Sequence, residues 1–155
     1  MPLPPTAHQN FRKLVGAYQG AVISFPHLKA VTAAQLGLES GWGGTGLAKQ
    51  HRNYGGMKWR DYMAPWAGPA WYEAHDGREL YCSFRSDADF IDGFWARLDL
   101  NEAYDGWRDS ADDADAFIEF IGPIWVGGSP ANGRKYVGDI QNICAMRTAD
   151  LFSEA

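Results

Sequence analysis

The sequence predicts an α+β chain, mostly helical, with one small β-hairpin lobe inserted after the second helix. Three observations carry this. Apolar residues recur at three- and four-residue steps along most of the chain. A single Asp76-Gly77 pair sits between two short strand-like runs, which is a hairpin signal. The 155 residues contain no repeat, low-complexity tract or linker, so residues 1–155 read as one domain.

The elements follow in order. Thr6 to Phe25 reads as a helix through Phe11, Leu14, Val15, Tyr18 and Val22. Pro26 suits the first turn of a second helix with an inner stripe of Leu28, Val31, Gln35 and Leu38, ending near Ser40-Gly41. Gly55 to Phe84 is different: glycines and prolines punctuate it, and Ala70 to His75 and Glu79 to Phe84 are the strands. Ser86 with Asp89 resembles a capping box ahead of Phe90, Phe94, Trp95 and Leu98. Asp112 to Ile121 and Arg134 to Met146 are the last helices, with Gly122 to Asn132 read as a loop between them.

Several function classes are excluded. A net charge of -5 without a Lys/Arg cluster argues against holding a nucleic acid backbone. No stretch approaches the roughly 18 apolar residues of a membrane span, and Met1-Pro2-Leu3-Pro4-Pro5 lacks the basic start and apolar run of a signal peptide, so neither is expected. Gly41-x-Gly43-x-x-Gly46 has dinucleotide spacing but follows a helix instead of a strand. His8, His27, His51 and His75 stand apart, so no metal and no other cofactor is expected. Cys82 and Cys144 are two buried thiols or one long-range disulfide.

What remains is Glu39, on the last turn of an apolar helix and followed by Gly41-Trp42-Gly43. The partial negative charge of a helix C-terminus and a water-excluding aromatic both favour the protonated acid, which can donate to a leaving glycosidic oxygen. The plain alternative is a solvated glutamate in a fraying turn.

Ala34-Gln35-Leu36-Gly37-Leu38-Glu39-Ser40-Gly41-Trp42-Gly43, then Leu47-Ala48, then Asn53-Tyr54-Gly55-Gly56-Met57-Lys58, resembles the signature of the glycoside hydrolase family 73 glucosaminidases. The family pattern is Ala-Gln-x-x-Leu-Glu-Ser/Thr-Gly-Trp-Gly, Leu-Ala, and Asn-Leu-Phe-Gly-Ile-Lys; this chain departs from it with Gly55 in place of Phe. The resemblance implies a lysozyme-like fold with the hairpin lobe flanking the active-site cleft. It implies cleavage of the β-1,4 bond between N-acetylglucosamine and N-acetylmuramic acid in peptidoglycan, with Glu39 as general acid. It points to Glu73, in Glu73-Ala74-His75-Asp76-Gly77 before Phe84-Arg85, as the second acid, with Asp76 and Glu79 as competitors. Carboxyls roughly 6.5–9.5 Å apart would suit inversion and about 5–5.5 Å a covalent intermediate, while a third route uses the substrate's acetamido group. Trp42, Trp59 and Trp71, with Tyr62, Trp66 and Tyr72, read as a groove wall for sugars. Tyr136 resembles a family tyrosine near the acid, and Asn53 matches a position that holds the cleft loop.

A leaderless single catalytic domain is expected to be made in the cytoplasm and to act as a monomer in the periplasm or wall of another cell. Two deliveries suit it, a phage-type lysin and a toxin similar to type VI secretion effectors. The second is favoured and implies an immunity protein that plugs the cleft. The rivals are a muramidase or lytic transglycosylase and, outside enzymes, a non-catalytic peptidoglycan-binding module.

Overall fold

The computed structural model describes residues 3–151, with side chains through residue 146. Helix α1 (Gln9–Gly20) buries Phe11, Leu14, Val15 and Tyr18. It is shorter than expected from the periodicity. Ala21 is already extended, Phe25 before Pro26 is non-helical, and Val22, expected inside, is 98% exposed. The Lys29 ammonium closes the end of α1 by donating to the carbonyls of Gln19 (3.1 Å) and Ala21 (2.7 Å).

A 3-10 turn at Pro26–Leu28 leads into α2 (Lys29–Ser40), whose residues from Val31 to Gly37 are all buried. This helix is central: α1 packs on one side and the last helix on another. Leu38 escapes the predicted inner stripe and lines a surface cavity beside Glu39. Gly41 ends α2 in the left-handed conformation. A short helix that the sequence reading did not contain, α3 (Gly46–His51), follows, capped by Thr45 Oγ1 accepting from Ala48 N.

The lobe is an antiparallel pair, β1 (Ala67–Ala74) and β2 (Gly77–Phe84), turning at His75-Asp76 into Gly77, which has φ +117°. Its base is tied to the loop after α3 by a Lys58–Tyr81 bridge and by Cys82 N donating to Met57 O. Helix α4 (Asp87–Leu100) starts at Ser86, whose Oγ accepts from Asp89 N, and buries Phe90, Phe94 and Leu98.

The predicted loop at 122–132 is largely helical. Helix α5 (Ala114–Val126) runs through Pro123, and α6 (Pro130–Leu151) begins at a proline, which is well suited to a first turn. Only residues 127–129 connect them; Gly127 and Gly128 both take positive φ. Helices α5 and α6 pack together, and α6 lies against α2. Cys82 and Cys144 are separate thiols, each pushed up to about 11, chiefly by burial. No helix among the described residues is long and apolar enough to cross a membrane.

Candidate active site

Glu39 is carried at the penultimate position of α2, and the turn beyond it is built to hold that position. Ser40 Oγ donates to Leu36 O (2.7 Å) and accepts from Gly43 N (2.9 Å), pinning the chain on both sides of the helix end. Trp42 has a positive φ of 54°, uncommon for a residue with a side chain, and its N–H returns to Gly37 O. That conformation folds the indole back over Gly37, where any Cβ would stand 2.5 Å from the ring. The ring also meets Phe11 edge-on at 5.5 Å between centroids. Trp42 thus packs beneath the turn and does not line the groove.

Two cavities meet at Glu39. One, of about 660 Å³, is lined by Glu39, Asn53, Lys58, the hairpin residues Tyr72 to Asp76, Tyr81 and Trp125. The other, about 370 Å³, continues past Glu39 and Val126 to Leu38, Tyr136 and Asp139 of the helical side. Together they form a groove crossing the chain between hairpin and helices, with Glu39 at its middle. A third cavity, of about 350 Å³ around Trp66, Trp95 and Trp107, shares no residue with this groove.

Burial raises the Glu39 carboxyl above the usual glutamate range, and the Tyr136 phenol works against that rise. Tyr136, itself buried, is pushed far above the ordinary tyrosine range by burial first and by the neighbouring Glu39 second. Backbone approaches closely here: a Cβ on Gly56, which has φ +65°, would be 3.8 Å from Glu39 Oε2. An acid held in this way can give a proton to a ligand oxygen in the groove.

The other acidic residues are distributed by strand alternation. Register pairs Tyr72 with Glu79 and Glu73 with Arg78. Tyr72 and Tyr81 share one face, with ring centroids 6.0 Å apart, while Trp71 lies on the other beneath the Arg78 guanidinium at 5.0 Å. Glu73 belongs by alternation to the Trp71 face but lines the larger cavity at the hairpin tip. Glu79 is occupied by Lys58 Nζ at 2.9 Å, and Asp76 stands 3.9 Å from the same ammonium. Glu73 has no ion pair among the described residues.

Of the expected sugar-binding residues, Asn53 and Tyr136 line the groove and three tryptophans do not. Asn53 is buried and fixes the loop from both sides: Nδ2 donates to Met57 O and Cys82 O, and Oδ1 accepts from Met57 N. Trp59 packs against the core edge with Nε1 on Asp61. Trp71 is 59% exposed, away from Tyr72 and Tyr81. The groove's aromatics are Tyr136, the expected Tyr72, and Tyr81 and Trp125, which the expected wall did not include.

Trp125, near the end of α5, was not singled out by the sequence, although a small residue at Gly55 signals an aromatic arriving from elsewhere. Its Nε1 donates to Gly55 O at 3.1 Å, and Phe94 and Tyr104 support its ring. Among the described residues no group of three or more His, Cys, Asp or Glu is placed to hold a metal ion.

The model of the glucosaminidase family, described as mannosyl-glycoprotein endo-beta-N-acetylglucosaminidase, matches residues 16–151. The chain belongs to this family. It is a glycoside hydrolase. The fold of this glucosaminidase is similar to that of the catalytic domain of the autolysin Auto from Listeria monocytogenes, with a TM-score of 0.59 and 14% identity. The likeness covers 97% of this chain and 90% of that one, and supports the lysozyme-like architecture with a hairpin lobe beside the groove. Comparison with curated proteins returns no match.

Proposed function

We propose that this glucosaminidase hydrolyses peptidoglycan, cutting the β-1,4 bond between N-acetylglucosamine and N-acetylmuramic acid with Glu39 as general acid. The observation that carries the reading is the position of Glu39: a half-buried carboxyl, raised by desolvation, at the junction of two cavities in an open groove. A groove running from the hairpin past Glu39 to the helical side suits an internal bond of a long strand. The autolysin whose catalytic domain has the same fold supports peptidoglycan as the polymer.

In this mechanism Glu39 transfers its proton to the glycosidic oxygen as the bond from C1 of N-acetylglucosamine to that oxygen breaks. A water adds its hydroxyl to C1 and gives its proton to a base, leaving a new reducing N-acetylglucosamine end. Glu73 is the residue proposed for that base. It lines the cavity and is unpaired among the described residues, whereas Glu79 and Asp76 flank Lys58. Tyr72, Tyr81 and Trp125 offer ring surface to the sugars, and Asn53 holds the floor.

Peptidoglycan digestion followed by reducing-end mass spectrometry tests this. N-acetylglucosamine at the new reducing ends supports it. Reducing muramic acid would indicate a muramidase, and anhydro-muramic ends a lytic transglycosylase.

For delivery, the proposed setting is the periplasm of rival bacteria, with an immunity protein occluding the groove in the producer. What supports this is family-level analogy with type VI secretion glycoside hydrolase effectors. Failure of the neighbouring gene product to co-purify on co-expression would count against it.

A further inference from the structure

Gln35 lies one helical turn before Glu39 on α2, in a buried stretch with Val31, Thr32, Ala33, Ala34 and Leu36. It is fully buried, yet neither atom of its amide has a hydrogen-bond partner of good geometry among the described residues. The Tyr136 hydroxyl, arriving from α6, is buried in the same condition. Polar atoms left so in a protein interior are costly, and a hydrocarbon of similar volume would avoid the cost. These groups are neighbours: α6 packs on α2, Gln35 and Glu39 are one turn apart on the same helix, and Glu39 and Tyr136 line one cavity.

One arrangement of these groups serves the acid, the alternative being the phenol donating to Gln35 Oε1. The amide Nε2 can only donate, so it pairs with the phenol oxygen; the single phenol proton is then left for an acceptor, the Glu39 carboxylate. A hydroxyl that accepts one hydrogen bond is a stronger donor in its own.

We infer that Gln35 is a positioning residue that fixes the Tyr136 hydroxyl as a donor to Glu39, stabilising the carboxylate that forms when the proton leaves for the sugar oxygen. This rests on Glu39 being the acid. Burial alone would make Glu39 hold its proton more tightly, and Tyr136 opposes it. Gln35 acts on the same balance through Tyr136, whose own proton its amide helps to loosen.

Other charged groups face Glu39 from the surrounding elements, but all stand in the open groove. Lys135 and Asp139 of α6 pair with each other at 2.6 Å, and Lys58 is held by Glu79 and Asp76. Glu73 and His75 lie on the hairpin, and the Tyr104 phenol, buried outside the groove, also feels the Glu39 charge. Changing Gln35 removes none of these groups.

The test is the midpoint of Glu39 titration, read by carbon-13 NMR of labelled glutamate carboxyls. The Glu39 signal is assigned by its absence from Glu39→Gln, and the basic limb of kcat/KM on peptidoglycan is measured in parallel. Tyr136→Phe is expected to move both upward. Gln35→Leu is expected to move them in the same direction by less, and to add nothing in the Tyr136→Phe background. Gln35→Met, which keeps chain length without the amide, replaces Leu if that variant fails to fold. A wild-type midpoint in the Gln35 variant, or its full shift persisting without the Tyr136 hydroxyl, overturns the inference. Undiminished hydrolysis by Glu39→Gln would overturn the proposed reaction instead, while the NMR midpoint would still report on Gln35.

Discussion

The indole of Trp125 occupies the space beside Gly55: Nε1 donates to Gly55 O at 3.1 Å, and a Cβ at Gly55 would stand 3.0 Å from Trp125 Cζ2. The family signature carries a phenylalanine at the Gly55 position, and in this chain the Trp125 indole from α5 fills the space beside that glycine. Trp125 is both packed on Phe94 and exposed to the groove.

Gly55→Phe therefore overfills the site. It should lower stability by about 1–3 kcal/mol, as core overpacking does. In Trp125→Ala, where the space is vacated, the same change should cost much less. Thermal melts of the two single variants and the double variant measure the coupling, and strictly additive losses would show that the two rings do not compete.

Trp42 is expected to act on stability and not on sugar binding. Its ring lies over Gly37 and against Phe11, outside the residues lining the groove. Trp42→Ala should cost up to about 3 kcal/mol from lost packing. Gly37→Ala should also destabilise, because its methyl group meets the indole. At a temperature where Trp42→Ala remains folded, an unchanged KM for peptidoglycan fragments supports packing, and a large rise in KM with an unchanged melt would favour a sugar contact.

Much of the fold was legible because local chemistry agreed with the tertiary result. Ser40-Gly41 ends α2 as the glycine signal indicated, Asp76-Gly77 marks the hairpin, and Ser86 caps α4. Periodicity overran α1 because Val22 continues the apolar spacing, while Pro26 imposes an extended approach at Phe25. Leu38 misled for another reason: on a helix buried on nearly all sides, the exposed position is the one facing the groove. The glycines and prolines of 122–132 suggest a longer loop than forms, since Pro123 is accommodated within α5 and Pro130 opens α6.

In the site, the sequence located Glu39, Glu73, Asn53 and Tyr136 on one groove through the family resemblance. Aromatic density was a poorer guide. Which tryptophan faces the groove depends on strand alternation for Trp71 and on backbone conformation for Trp42, and neither is visible in composition.

The raised proton affinity of Glu39 also makes a prediction about stability. A carboxyl whose folded-state pKa lies above its unfolded value favours the fold at pH below the unfolded value, and that contribution is lost as pH rises through the folded value. Above the folded value the partly buried charge is a burden, so there Glu39→Gln should melt at or above wild type. The difference should shrink as pH falls through the raised folded value and be gone below the ordinary glutamate range. A Glu39→Gln melt well below wild type at pH 7 would mean that the carboxylate is a net structural partner.

The hairpin acids separate by their partners. Glu73→Gln should slow hydrolysis at least about 100-fold if it handles the water's proton. Glu79→Gln removes a largely exposed ion pair with Lys58, worth about 0–1 kcal/mol, and should change the rate far less. Steady-state rates on purified peptidoglycan check both. Reversed magnitudes would move the base to the Lys58 side of the hairpin, and small losses in both would move the work to the substrate's acetamido group.

The most direct test of the central claim is muropeptide analysis of peptidoglycan digested in parallel by wild type and Glu39→Gln at matched folded concentrations. Wild type should release fragments ending in reducing N-acetylglucosamine, and Glu39→Gln should release almost none. Equal release by the two proteins would contradict Glu39 as the acid, and reducing or anhydro muramic acid from wild type would contradict the bond.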